Sequence, residues 1–128
     1  MSVRTILVVD DDLDIRRILA VSLERIGGYR VRLAEGADVA LEMATREPPD
    51  LLLLDVSMPG TDGPGILSAL RAHVTTAHIP VIFLTAVSNE EGIARLRGLG
   101  VIDVISKPFD IVALPARIRD ILSRIEVH

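Results

Sequence analysis

Leu51-Leu52-Leu53-Leu54-Asp55 is the stretch on which the fold turns. Four consecutive leucines offer no polar face, so an extended strand here has to be covered on both sides. Ile6–Val9, Val81–Leu84 and Asp103–Ile105 are short runs of the same aliphatic, β-branched character, and each reads as a buried strand. Tyr29–Ala34 differs. Tyr29, Val31 and Leu33 alternate with Arg30 and Arg32, which suits an edge strand with one exposed face.

The intervening segments have helical periodicity. Ile15, Ile18, Leu19, Leu23 and Ile26 form one apolar stripe, ended by Gly27-Gly28. Ala37, Ala40, Leu41 and Ala44 form a second, closed by Pro48-Pro49. Pro64 suits the first position of a third helix, with Ile66, Leu67 and Leu70 turned inward. Ser88 and Glu91 have the spacing of a capping box at the start of a fourth. Ile111, Leu114, Ile118, Ile121, Leu122 and Ile125 stripe a fifth, which Pro115 should delay or kink because proline lacks the amide donor and crowds the preceding turn. Strand followed by helix, five times over, predicts an α/β fold in three layers: a five-stranded parallel sheet with helices on both faces.

The chain has 128 residues, which fits one domain, residues 1–128. Apolar residues make up 49%, too many for a disordered chain. With no cysteine, there is no thiol nucleophile, disulfide framework or cysteine-based zinc site. Tyr29, Phe83 and Phe109 are the only aromatics, too few to build stacking platforms. A formal net charge of −4 argues against direct nucleic-acid binding. No apolar run approaches the ~20 residues that span a bilayer, and none follows a charged leader, so no membrane association is expected and the cytoplasm is the expected compartment.

Ligands of parallel α/β sheets bind beyond the carboxyl ends of the strands. There the first strand is followed by Asp10-Asp11-Asp12, the third ends at Asp55, the fourth runs into Thr85 and the fifth into Lys107. Singly, each has an ordinary role: a helix cap, a loop hydroxyl, a solvated amine. Together they complement one another. Clustered carboxylates repel unless a cation intervenes, and Mg2+ favours such oxygen donors. An aspartate can accept a phosphoryl group, and a metal, an ammonium and a hydroxyl can each hold one of its oxygens.

Val8-Val9-Asp10-Asp11-Asp12, Asp55-Val56-Ser57-Met58-Pro59-Gly60-Thr61-Asp62-Gly63, Thr85-Ala86 and Lys107-Pro108-Phe109 resemble, in order and spacing, the response-regulator receiver domain of two-component signalling. The resemblance covers essentially the whole chain. It implies a flavodoxin-like (βα)5 sandwich with strand order 2-1-3-4-5. It implies Asp55 as phosphoacceptor and Mg2+ as cofactor. Asp11 would ligate the metal directly and Asp10 through a water, alongside Asp55 and the backbone carbonyl of Ser57. Thr85 would be the switch hydroxyl, followed by Ala86, and Lys107 would hold a second phosphoryl oxygen. The Lys107-Pro108 bond is often cis in this family. Asp12 has no strong role and reads as a solvated acid, and Asp14 as a cap or first-turn acid. Pro59, Gly60 and Gly63 fit a tight turn with positive φ near Gly60.

By the same resemblance, a sensor histidine kinase or a His-phosphotransfer protein supplies the phosphoryl group. The domain is a switch more than a turnover enzyme, catalysing only its own phosphorylation and dephosphorylation. Thr85 would move toward the new charge and bias the fourth helix, where Gly92 and Gly98 each cost about 1 kcal/mol relative to Ala. That helix is therefore expected to be the least stable. The first helix around Ile15, Arg16 and Leu19, with the loop after Lys107, resembles the kinase-docking side. The fourth helix, last strand and fifth helix, made basic by Arg95, Arg97, Arg117 and Arg119, resemble an output or homodimer face. The output partner is unassigned: a stand-alone receiver and one belonging to a longer regulator or hybrid kinase both fit. Two departures bear on the switch. Many receivers carry Tyr or Phe three residues before the lysine, where this chain has Val104. Ser57 and Val87 sit at variable positions expected to tune phosphoryl lifetime.

Three other readings compete. A haloacid-dehalogenase-type phosphohydrolase would use the Asp10-Asp11-Asp12 stretch as its Asp-x-Asp motif, but it leaves Asp55 and the Met58-Pro59-Gly60 turn unexplained. A receiver-like module that is never phosphorylated would not need the intact site. A nucleotide-binding flavodoxin-like domain would need a glycine-rich loop after the first strand, which is absent.

Overall fold

The leucine run lies at the centre of a parallel sheet in the computed structural model, which describes residues 4–58 and 61–126. The elements in chain order are β1 (Thr5–Val9), α1 (Leu13–Val21), β2 (Arg30–Ala34), α2 (Ala37–Arg46), β3 (Leu51–Asp55), β4 (Ser57–Met58), β5 (Thr61–Asp62), α3 (Gly63–Arg71), β6 (Val81–Thr85), α4 (Glu90–Arg97), β7 (Asp103–Ser106) and α5 (Leu114–Glu126). The main sheet runs β2-β1-β3-β6-β7, all parallel. Counting its five strands in sequence, that is the expected order 2-1-3-4-5.

The pleat divides the core into two. Leu52, Leu54, Phe83 and Val104 pack with Ala40 and Ala44 of α2 and Ile66, Leu67 and Leu70 of α3, with Ile93 and Leu96 of α4 partly buried against them. Leu51, Leu53, Ile82 and Ile105 pack with Leu19 of α1 and Leu114, Ile118, Ile121 and Leu122 of α5. All four leucines are fully buried, two on each face, as a polar-free strand requires. Truncating any one to alanine should cost about 2–5 kcal/mol.

Several local expectations need correction. After Val21 the first helix continues as a π-helical turn, Ser22–Ile26, with the Gly27 amide donating to the Ser22 carbonyl. Leu19 and Leu23, one turn apart, are buried, while Ile18 and Ile26 are 40% and 48% exposed, the latter inside the wider turn. Gly28 then turns the chain at φ 76°, a left-handed conformation that favours glycine. On edge strand β2, Ala34 is buried but Leu33 is exposed. Arg32 is half-buried, donating to the Glu47 carbonyl and pairing with its carboxylate at 3.7 Å.

The fourth helix is capped by Asn89, not Ser88: the Asn89 side chain accepts from the Gly92 amide at 2.7 Å. Asn and Ser are comparable caps, and the loop leaving β6 is one residue longer than the capping-box spacing assumes. Helix α3 begins at Gly63, so Pro64 is its second residue. Helix α5 starts late, at Leu114, with Pro115 in the first turn where its missing amide is tolerated. Ile111 thus lies ahead of the helix and is exposed, like Ile125 near its end. A two-stranded antiparallel ribbon, β4 with β5, follows β3, where the sequence reads only as a turn. The turn assigned to Pro59 and Gly60 lies outside the described residues. Among the described residues, no helix is long and apolar enough to cross a membrane.

Candidate functional site: an acidic pocket at the sheet rim

Side chains at the carboxyl ends of β1, β3 and β7 converge on one pocket. Asp10 follows β1, and its amide donates to the Ala34 carbonyl of the edge strand at 3.1 Å. Asp55 is the last residue of β3, paired in register with Leu84. Both carboxylates are buried, whereas Asp11 is exposed. Carboxylate oxygens of Asp10, Asp11 and Asp55 lie within 4.8 Å of one another.

Lys107 enters from the end of β7. Its Nζ is 3.2 Å from Asp10 Oδ2 and 3.5 Å from Asp55 Oδ1. Partial burial opposes the ammonium charge, but Asp10 and then Asp55 outweigh it and hold the Lys107 pKa above the ordinary lysine value. The Lys107-Pro108 peptide bond is cis, as expected. Three carboxyl groups around one ammonium still crowd negative charge into a half-dry pocket. All the donors are hard oxygens, so the set fits a divalent cation such as Mg2+.

The other Asp10 oxygen, Oδ1, accepts the Asp12 amide at 2.9 Å, and an Arg16 guanidinium nitrogen donates to the Asp10 carbonyl at 2.7 Å. Arg16 therefore braces the pocket from α1. Leu19, assigned with it to a docking surface, is fully buried and cannot meet a partner. Asp12 is exposed, as expected of a solvated acid, and it also caps α1, accepting from the amides of Asp14 and Ile15 at 2.8 and 3.3 Å. The signal was an aspartate directly before a helical stripe. Asp14 occupies the first turn, as expected.

Thr85 is set apart from the acids by the pleat. Asp55 shares its face with Leu84, which packs toward α1 and α5. Thr85 follows Leu84 and so points to the opposite face, where its register partner is Ser106. Thr85 is buried, and its Oγ1 accepts the Val87 amide at 3.0 Å. Ala86 is exposed immediately beyond it. The backbone of Ser57 belongs to β4, paired with Asp62. Val56 ties the start of this segment down: its amide donates to the Leu84 carbonyl, and its own carbonyl accepts from Gly63. A Cβ on Gly63 would lie 2.9 Å from Val56 Cα, so only glycine allows this closure. Val104 is buried in the core between β7 and α4.

The basic face is largely tied up. Arg97 pairs with Asp103 at 3.0 Å, Arg117 donates to the Val104 carbonyl at 3.3 Å, and Arg95 lies 3.9 Å from Glu91.

Comparison with known proteins settles the family. A model described as the response regulator receiver domain matches residues 6–119. The chain belongs to the response regulator receiver domain family. As a receiver domain it is a signalling switch of the kind found in two-component response regulators. It is 42% identical to a probable transcriptional regulator, ycf27, of Porphyridium aerugineum, over 98% of this chain and 51% of that protein. It is 40% identical to the phosphate regulon transcriptional regulatory protein PhoB of Pseudomonas aeruginosa, over 94% of this chain and 52% of that one. This receiver domain thus spans about half the length of these curated relatives. Among solved structures, it resembles the chemotaxis protein CheY4 of Vibrio cholerae with TM-score 0.83 and 26% identity, covering 94% of this chain and 99% of that one. The N-terminal domain of a response regulator receiver protein from Methanoculleus marisnigri shares 38% identity at TM-score 0.75, over 94% and 98% of the two chains.

Proposed function

We propose that the chain is one receiver domain, residues 1–128, whose Asp55 accepts a phosphoryl group from the phosphohistidine of a sensor histidine kinase or a His-phosphotransfer protein. The supporting observation is the convergence of Asp10, Asp11, Asp55 and Lys107 in one half-buried pocket. An oxygen of Asp55 attacks phosphorus, the bond to the donor nitrogen breaks, and the imidazole leaves with its electron pair. Lys107, already between Asp10 and Asp55, is within reach of one phosphoryl oxygen. Thr85, released from the Val87 amide, would turn to another, beside the backbone of Ala86. Asp10, Asp11, Asp55 and the Ser57 carbonyl would hold Mg2+, which would neutralise charge developing on the phosphoryl oxygens.

The added charge would bias the face made by α4, β7 and α5, and so an output partner or an attached effector domain. None of the residues of α4 is buried, so that helix is the weakly held element such a bias requires. The similarity to transcriptional regulators is consistent with a DNA-binding effector elsewhere in a longer protein. A cytoplasmic location accords with this role.

Incubation with acetyl phosphate and Mg2+, followed by mapping of the modified residue, tests the proposal. Label on Asp55 that is absent in Asp55→Asn supports it. Label on Asp10 would support the phosphohydrolase instead, and no label on the parent would leave a receiver-like binding module.

A further inference from the structure

Val87 is held at both ends of its own backbone. Its amide donates to Thr85 Oγ1 at 3.0 Å, and its carbonyl accepts from Ser106 Oγ at 3.0 Å. Thr85 and Ser106 are register partners on β6 and β7, so both hydroxyls rise from the same face of the sheet. The Val87 side chain leans on the first turn of α4: a Cβ added at Gly92 would lie 2.4 Å from Val87 Cγ1. Gly92 in turn donates its amide to the Asn89 cap. A continuous chain of contacts thus runs from Thr85 through Val87 to the start of α4, with Ser106 fastening its middle to β7. The side chain of Val104, where many receivers have an aromatic, is aliphatic and buried and can form no such bond.

We propose that Ser106 is the positioning residue that couples Thr85 to α4 in this chain, through the Val87 carbonyl. This rests on the reading of Asp55 as phosphoacceptor. When Thr85 turns toward a phosphoryl group, Val87 loses its amide anchor. Ser106 keeps the carbonyl end pinned to β7, so the Thr85–Val87 turn pivots about that point and shifts the first turn of α4. Without the Ser106 hydroxyl, Val87 swings free and the movement of Thr85 dissipates within the loop.

Backbone amide exchange over residues 86–97, with and without beryllofluoride and Mg2+, tests this in the parent, Ser106→Ala and Ser106→Thr. In Ser106→Ala without beryllofluoride, amides of this segment should exchange roughly fivefold faster, as for the loss of one hydrogen bond. Ser106→Ala should still take up beryllofluoride, but the exchange change that uptake produces in α4 should largely vanish. Ser106→Thr, which keeps the hydroxyl, should restore it; a purely structural role for the residue would not produce this split. A full α4 response in Ser106→Ala overturns the coupling role alone. A parent that takes up no beryllofluoride overturns the phosphoacceptor reading and the coupling role with it.

Discussion

Lys107 Nζ sits 3.2 Å from Asp10 Oδ2, an ion pair between residues 97 positions apart in sequence. Only the parallel arrangement of β1 and β7 on either side of β3 and β6 brings them within reach. The pair anchors the pocket and also offsets part of its negative charge. Lys107→Ala should therefore have opposite effects on two measurements. Mg2+ should bind more tightly, on the order of tenfold, because an opposing charge has gone. Phosphoryl uptake should fall by on the order of a hundredfold, because a phosphoryl oxygen loses its ammonium. Titration calorimetry and labelling kinetics measure the two.

The same pair has a pH signature. The Lys107 pKa is raised in the folded protein, so its stabilisation is complete below the ordinary value of 10.5 and is lost as pH rises through the higher native value. Urea melts should show stability falling from pH 10 upward more steeply in the parent than in Lys107→Ala.

Asp55→Asn removes one of the crowded carboxylates while Lys107 keeps its nearer partner, Asp10. Without metal, the variant should be more stable than the parent by about 1 kcal/mol. Added Mg2+ should raise the melting temperature of the parent more than that of the variant, since a ligand stabilises in proportion to its affinity for the folded state. A thermal melt series across Mg2+ concentrations gives both comparisons.

Two glycines of the α4 region should respond oppositely to alanine. At Gly98, φ is −69° and a Cβ would meet only Arg95 and Ala94 carbonyls at 3.4 and 3.7 Å. Gly98→Ala should stabilise by about 0.5–1 kcal/mol. At Gly92 the Cβ would collide with Val87, and Gly92→Ala should destabilise by about 1–3 kcal/mol despite the better helix propensity. Equilibrium unfolding of the two variants reads the difference in sign.

Asp50 links β3 to the start of β1, accepting from the Arg4 and Thr5 amides at 2.9 and 3.0 Å and from the Thr5 hydroxyl at 3.2 Å. Burial opposes its charge, but these bonds prevail and place its pKa below the ordinary 3.8. Its stabilisation is therefore present above pH 3.8 and is lost as pH falls through the lower native value. Asp50→Ala should cost about 1–3 kcal/mol at pH 7, with a smaller deficit at pH 2.5, in urea melts at the two values.

The sequence alone determined the alternation of strands and helices, the buried character of β3 and the placing of Asp55 at its polar end. These follow from local patterning: an apolar run has to be covered, and the first charged residue after it marks the rim. Tertiary structure alone decided the rest. The π-helical turn, the Asn89 cap and the role of Arg16 depend on how α1 and α4 settle on the sheet, which residue spacing does not encode. The placing of Thr85 and Ser106 on the face opposite Asp55, and the shared grip of their hydroxyls on Val87, depend on register between strands 21 residues apart. Register is set by packing on both faces at once, so it belongs to the folded sheet and to no single segment.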